Sequence, residues 1–381
     1  MSMQEKTVRE PLFHIVKRDA LPWWQAWLIR AGAVLIALLT CGVITVVMTG
    51  ENPLDILEAM LKASLGYYDK EGYDLFEQRR FWAMLQDVAI LLCVSLAVTP
   101  AFKMRFWNIG AEGQVLAGGM ASAACMILLG RTLPEPVLIL VMVAAAVAAG
   151  AVWALIPAVF KARWGTNETL FTLMMNYIAI QIVSFFAYEW SVPKGSGQIG
   201  VINSKDQFGW LPEIFGQKYL FNILVVVVIT VLMYIYLKYS KQGYEISVVG
   251  ESENTARYIG INVRKVIIRT MLISGAVCGI AGLLLVAGTD HTITPDTAGG
   301  RGFTAIMVSW LAKFNPLVMV LTSLLIVFLQ RGAGEVSTTV GLNTAFSEIL
   351  PGIIIFFIIG CEFFINYSVK FRRIGKGGAS E

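Results

Sequence analysis

The chain has 381 residues, of which 56% are hydrophobic and only 15% are charged, and its mean hydropathy is +0.67. Because soluble domains carry roughly a quarter charged residues, this composition excludes an ordinary soluble protein and indicates a polytopic membrane protein. The net charge of +4 is small, and Lys and Arg lie at the ends of apolar segments, which argues against nucleic-acid binding.

Apolar segments of membrane-spanning length recur along the chain. A spanning helix needs about 20 mostly apolar residues, which predicts spans over 27–48, 83–102, 107–129, 137–160, 170–190, 219–239 and 266–289. A short stretch over 302–312, with the length of a half-helix, precedes longer runs over 317–331 and 343–367. The predicted fold class is an all-α, polytopic integral membrane protein with about ten transmembrane or half-spanning helices.

Basic residues predict which side of the membrane each connection faces. They concentrate in the N-terminal arm 1–26, the turns at 103–105 and 161–163, the segment 238–269 and the tail 368–381. Because cytoplasmic loops are enriched in Lys and Arg, these segments, and hence both termini, are predicted to be cytoplasmic.

The remaining long connections, 50–82 and 191–218, are then predicted to face outward. The first contains an amphipathic stretch, 52–66, that is expected to lie on the outer membrane interface. Residues 27–367 are predicted to form a single transmembrane domain, in which the alanine-rich run 143–155 fits a close helix crossing.

The stretch RFWNIGAEGQVLAGG, residues 105–119, places Asn108, Glu112, Gln114 and four glycines at the start of an apolar span. Such a cluster is typical of a broken or closely packed helix that lines a water-filled route. The Asn108 amide is expected to bind backbone groups freed where the helix starts. These three residues are candidates for a transport pathway.

A second polar stripe follows in TNETLFTLMMNYIA, residues 166–179. Thr166 or Asn167 can cap a helix here, and Asn167, Thr172 and Asn176 are spaced to share roughly one helical face. A stripe of this kind lines a pathway or binds two helices together, and the sequence leaves both alternatives open.

The cytoplasmic segment 240–265 is polar and contains the signals of a short helix. Ser252 or Asn254 can cap its start, and Gly260 can end it in a left-handed turn. The segment is therefore predicted to be a loop wrapped around a short helix.

Motifs of enzyme chemistry are missing from the sequence. It contains no G-x-x-x-x-G-K-[ST] phosphate loop, no H-E-x-x-H and no G-x-S-x-G. The chain is therefore predicted to be a transporter or channel rather than an enzyme, with no cofactor of its own. An ion-coupled carrier stays open as an alternative, although most acidic residues of the spans lie near span ends.

Four motifs, in this order, resemble the permease subunits of bacterial ATP-binding-cassette (ABC) importers: FWNIGAEGQVLAGGMASA, GTNETLFTLMMNYIA, VVGESENTARYIGINVRKV and GGRGFTAIMVSWLAKFNPL. The resemblance runs from about residue 80 to 365 and points to the ribose and branched-chain amino acid permease superfamily. Within it, the N-I-G-A-E-G-Q string is most similar to the larger permease of nucleoside importers that use a basic-membrane-lipoprotein-type binding protein.

The resemblance implies a set of partners in the bacterial plasma (inner) membrane. These are a second, related permease, cytosolic ATPase subunits that bind ATP and magnesium, and an extracytoplasmic substrate-binding lipoprotein or periplasmic protein, with membrane lipid around the chain. The chain would form the translocation pathway for nucleosides by alternating access. The same type of permease for a simple sugar such as a pentose is the alternative ligand class.

The resemblance also gives roles to individual residues. The 240–265 segment would carry a coupling helix for the ATPase, with Glu251, Asn254, Arg257 and Tyr258 at the contact and Gly250 and Gly260 setting its ends. Glu112 would face the pathway and accept a hydrogen bond from a ribose hydroxyl, or face a neighbouring helix and bind backbone donors. Phe303 would offer an aromatic face for nucleobase stacking, or pack against other helices.

Overall fold

A computed structural model describes residues 13–18, 22–50, 52, 58, 79–340 and 344–371. The predicted amphipathic stretch 52–66 lies outside the described residues except for Asn52 and Glu58. The same holds for most of the predicted arm 1–26 and for the tail beyond residue 371.

Helices account for most of the described chain. Their bounds are α1 Trp23–Thr49, α2 Arg79–Lys103, α3 Ala111–Leu129, α4 Glu135–Trp164, α5 Glu168–Glu189, α6 Leu220–Tyr239, α7 Lys241–Glu251, α8 Glu253–Tyr258, α9 Val263–Leu285, α10 Arg301–Leu311, α11 Pro316–Val340 and α12 Thr344–Asn366. A π-helical turn, Val286–Asp290, follows α9, and two strands are β1 Phe13–Lys17 and β2 Tyr367–Phe371.

The predicted spans agree with these helices to within a few residues at most ends. Among the described residues, seven helices are long and apolar enough to cross a membrane, namely α2, α3, α4, α5, α6, α9 with its π turn, and α11. The largest difference is in α11, which continues to Val340 instead of ending near 331. The glycines of RGAGEVSTTV do not stop it, because glycine is common inside membrane helices.

The chain divides into two compact units, and the division falls inside α11. The smaller unit consists of residues 1–63 and 329–381. In it α1 packs against α12 through buried Ala33, Cys361 and Ile365, and β1 pairs with β2 in antiparallel register from Phe13 opposite Phe371 to Lys17 opposite Tyr367. The described chain is mostly helical, as predicted, and this ribbon adds two short strands to it. Its paired residues lie at least 350 positions apart, which no local pattern could reveal.

The larger unit, residues 64–328, is built around α2, α3, α4 and α9. Helices α3, α4 and α9 cross at glycines. Between α4 and α9, a Cβ on Gly150 would collide with the Gly275 carbonyl oxygen, and a Cβ on Gly279 would collide with the Ala146 carbonyl oxygen. Between α3 and α9, a Cβ on Gly118 would collide with the Gly279 backbone. The close crossing predicted for the alanine-rich run of α4 is therefore confirmed.

The connection 191–218 packs over the end of α9. The Ile202 N–H donates to the His291 carbonyl at 2.8 Å, and the Leu211 N–H donates to the Ala287 carbonyl at 3.1 Å. The indole of Trp210 stacks on the His291 ring with centroids 3.6 Å apart. These contacts fix the connection against the point where α9 gives way to the irregular segment 291–300.

Candidate functional site

Between α2 and α3 the chain runs without helical structure from Arg105 to Gly110, and Asn108 organises this segment. Its side chain is fully buried. The Asn108 Oδ1 accepts from the Gly110 N–H and from Gln114 Nε2, both at 3.1 Å, and Nδ2 donates to Ser274 Oγ on α9 at 3.2 Å. The expected contact with backbone freed at the helix start is thus present. The Asn108 Oδ1 replaces the carbonyl acceptor that a preceding helical turn would supply to the Gly110 N–H.

Thr172 and Asn176 fasten α5 to the same segment. Asn176 Nδ2 donates to the Ile109 carbonyl and its Oδ1 accepts from the Gly113 N–H, both at 2.9 Å. Thr172 Oγ1 accepts from the Ile109 N–H at 3.2 Å. Both side chains are buried, so in this structure they bind two elements together, the second of the two alternatives.

Asn167 lies apart from these residues. It is the N-cap of α5, where its Oδ1 accepts from the Leu170 N–H at 3.1 Å, and it is exposed. The predicted cap is confirmed. The prediction that Asn167 shares a helical face with Thr172 and Asn176 is wrong. A cap residue has non-helical dihedral angles and does not continue the helical periodicity. A role of Asn108, Gln114, Asn167, Thr172 and Asn176 along a pathway stays a prediction.

Glu112, in the first turn of α3, is only 7% exposed. Its Oε1 accepts from the Gly300 N–H at 2.6 Å and its Oε2 accepts from the Gly302 N–H at 2.7 Å. Both donors belong to the start of α10. Of the two alternatives for Glu112, the structure therefore shows the carboxylate bound to backbone donors of a neighbouring helix.

Helix α10 has one buried and one exposed face. On the buried face, Ser309 Oγ lies 2.9 Å from Thr99 Oγ1 of α2. On the exposed face, Phe303 is 45% exposed and Trp310 is 48% exposed. Phe303 therefore presents its ring outside the packed interior of this unit, which leaves the aromatic face available. Its role in stacking stays a prediction.

Two contacts of α10 escaped the sequence analysis. Arg301 Nη2 pairs with Asp87 Oδ1 of α2 at 3.2 Å, and the Trp310 ring stacks on that of Trp107 with centroids 5.9 Å apart. The first had a signal in the sequence, because an ionisable residue within a membrane segment needs a partner of opposite charge. The stacking of Trp310 on Trp107 had no signal in the sequence, because no local pattern pairs two rings about 200 positions apart.

The predicted cytoplasmic helix is α8, and two of its predicted cap residues, Ser252 and Gly260, lie at its ends. Ser252 Oγ accepts from the Thr255 N–H at 3.2 Å. At the other end Gly260 has a φ of 85°, and the Ile261 N–H donates to the Ala256 carbonyl at 2.9 Å. This pattern is a Schellman C-cap, which favours glycine at the left-handed position. Short-range signals therefore determine both bounds of α8.

The outer surface of α8 is exposed. Of its six residues only Ala256 is buried, and Tyr258 is 92% exposed. Asn254 and Arg257 are exposed as well, as is Glu251 at the end of α7. Ile259, which the sequence analysis missed, adds an exposed aliphatic side chain beside Tyr258. The helix thus presents a mixed aromatic, aliphatic and charged surface with few contacts inside the chain.

Gly250 requires a correction. It was predicted to set one end of the coupling helix, but it lies inside α7 and is buried. A Cβ there would collide with the Lys103 carbonyl oxygen, so glycine permits the close approach of α7 to the end of α2. Ser252, not Gly250, begins α8.

Helix α7 connects α8 to the membrane helices. Arg269 of α9 pairs with Glu245 of α7 at 2.9 Å. Ile246 of α7 is buried in one apolar cluster with Met104 and Phe106 of the segment that leads to Asn108. Ala256 of α8 lies in the same cluster. Helices α7 and α8 therefore both pack against the segment that leads into α3, the helix that carries Glu112.

These features define a multi-pass membrane protein with buried polar contacts between broken helices and an exposed helix at one end. Among the described residues, no group of three His, Cys, Asp or Glu side chains is placed to hold a metal ion. A family model described as "branched-chain amino acid transport system / permease component" matches residues 81–359. The chain belongs to this family of transport permeases.

Curated relatives match nearly the full chain. A glucose ABC transporter permease protein of Haloferax volcanii is 29% identical over 96% of this chain and 96% of its own length. A guanosine ABC transporter permease protein of Bacillus subtilis is 30% identical over 84% of this chain and 94% of its own. A nucleoside ABC transporter permease protein of Lactococcus lactis is 27% identical over 80% and 87%.

Proposed function

We propose that this chain forms the translocation pathway for nucleosides in an ABC importer and works by alternating access driven by separate ATPase subunits. The observation that carries the proposal is α8, a capped helix of which only Ala256 is buried against the residues that the structure describes. Tyr258 and Arg257 are exposed side by side on it, and both residue types are enriched in protein interfaces. Family membership supplies the kind of partner, an ATP-binding subunit.

The ligand class is supported by two of the three relatives above, whose names specify guanosine and nucleosides. A simple sugar is the second candidate, because the glucose permease is similar over a still larger share of the chain. Phe303 favours the nucleoside, since its exposed ring could stack on a base. We place the pathway along this face of α10, with the polar cluster around Asn108 behind it.

The proposal includes the remaining subunits and the orientation. A second, related permease completes the pathway, the ATPase subunits hold ATP and magnesium, and an extracytoplasmic lipoprotein or periplasmic protein delivers the ligand. We propose the bacterial plasma (inner) membrane as the location, with both termini cytoplasmic. Pairing of β1 with β2 supports a common side for the arm and the tail, because a backbone ladder cannot form across a bilayer.

Uptake by proteoliposomes that contain the chain with its permease, ATPase and binding-protein partners tests this proposal. Labelled guanosine should accumulate only with ATP on the ATPase side, and collapsing proton and sodium gradients should not change the rate. Excess unlabelled nucleoside should compete, whereas excess glucose should not. Accumulation on an ion gradient without nucleotide would refute the ABC mechanism. Competition by glucose but not by nucleosides would show that the transported ligand is a sugar.

A further inference from the structure

Two helices of the larger unit start at the same place. Helix α3 starts at Ala111 after the irregular segment that contains Asn108, and α10 starts at Arg301 after the irregular segment 291–300. With 11 residues, α10 is about 16 Å long, roughly half the thickness of a bilayer core. Both segments leave the helical path within the unit, where free backbone groups need partners from the protein itself.

The first turns of these helices touch. A Cβ on Gly302 would lie 2.6 Å from the Glu112 backbone nitrogen and 2.6 Å from Glu112 Oε2. Such a distance is too short for any side chain, so Gly302 lets the backbone of α10 approach α3 directly. Gly300, with a φ of 72°, turns its N–H toward the same carboxylate.

Charge holds the start of α10 from two directions. The Glu112 carboxylate binds the N–H groups on either side of Arg301, where the helix dipole favours a negative charge. The Arg301 side chain extends to Asp87 of α2. The sequence GGRG therefore joins α10 to α3 through its backbone and to α2 through its side chain.

The geometry argues against direct contact between Glu112 and a transported solute. Both carboxylate oxygens already accept from a peptide N–H. A solute hydroxyl that displaced the Gly302 N–H would leave that buried donor without a partner, which costs about 1–3 kcal/mol. Because Glu112 is also buried, its remaining lone pairs are shielded from a solute in the pathway.

We propose that Glu112 is a positioning residue that fastens the start of α10 to the start of α3, so that the two helices move as one unit during transport. In this role Glu112 determines where the exposed face with Phe303 lies but does not contact the solute. The inference rests on the proposed function for its transport readout. Its structural content, a fixed α3–α10 pair, can be measured without a solute.

The transport test compares Glu112→Gln, Glu112→Asp and Gly302→Ala in the reconstituted complex. Glu112→Gln keeps the shape but loses the charge and one acceptor, so the maximal rate of uptake should fall roughly tenfold or more, with KM within about twofold. The factor should be equal for guanosine and 2′-deoxyguanosine. Gly302→Ala should reproduce the loss, and Glu112→Asp, which keeps the charge, should recover part of it. Glu135→Gln, an exposed acid in the first turn of α4, is the matched control and should transport normally.

The structural test measures the distance between spin labels at Leu128 of α3 and Thr304 of α10 in the complex, with and without ATP. With Glu112 retained, we expect a single distance between the labels in both states. In Glu112→Gln, we expect the distribution of distances to broaden. A KM that rises, by different factors for ribose and deoxyribose ligands, would show solute contact and overturn the proposal. A label-to-label distance that changes with ATP when Glu112 is retained would also overturn the proposal. Absence of guanosine uptake with the single distance retained would count against the proposed ligand alone.

Discussion

Replacing Tyr258 by alanine should strongly reduce ATP-dependent uptake while leaving the chain folded in the membrane. The ring is 92% exposed, so its removal should change the free energy of unfolding by no more than about 0.5 kcal/mol. If α8 binds the ATPase with Tyr258 at the centre of the contact, removing the ring should cost about 2 kcal/mol or more of binding free energy. This corresponds to a loss of binding of about 30-fold. Co-purification of the ATPase and uptake rates measure the two effects separately.

Charge reversal at Arg257 should act in the same direction. Arg257 forms an exposed pair with Glu253 within α8, and exposed pairs contribute little to stability, so Arg257→Glu should leave the fold intact. The matched control for Tyr258→Ala is Tyr188→Ala, since Tyr188 is also exposed but lies in the last turn of α5. Full uptake with an undiminished ATPase complex in both α8 variants would remove the coupling role from α8.

Substituting Gly279 by alanine should produce the largest loss of stability. A Cβ at this position collides with the Ala146 carbonyl oxygen, which is part of a helix backbone and cannot rotate away. Helices α4 and α9 would have to separate, and forced overpacking of this kind costs about 1–3 kcal/mol. Thermal unfolding of the purified protein in detergent, with the amount of protein in the membrane, measures the effect.

Gly334→Ala is the matched control for this substitution. Gly334 also lies inside a long helix, α11, but a Cβ there would meet none of the described atoms within 4 Å. Alanine is the better helix former by up to about 1 kcal/mol, so this variant should unfold at the same temperature or slightly higher. Equal unfolding temperatures for the two variants would contradict the close crossing of α4 and α9.

Local signals determined much of the architecture. Apolar runs placed the spans because a helix in lipid must be apolar over a fixed length. Ser252 and Gly260 bounded α8 because cap hydrogen bonds join residues only three to five positions apart. The cap at Asn167 followed for the same reason. In each case the physical cause and its sequence signal lie within one turn of helix.

Only the tertiary structure decided what the polar residues bind. The sequence identified Glu112 as a polar group at the start of an apolar span, facing either the pathway or a neighbouring helix. Its donors lie 188 and 190 positions away, and Asp87 lies 214 positions from Arg301. Gly250 and the β1–β2 ribbon were misassigned or missed for the same reason. A residue's type shows that it needs a partner, because an unpaired polar group is costly in an apolar interior. Which partner it finds depends on how the helices pack, and that is a property of the whole chain.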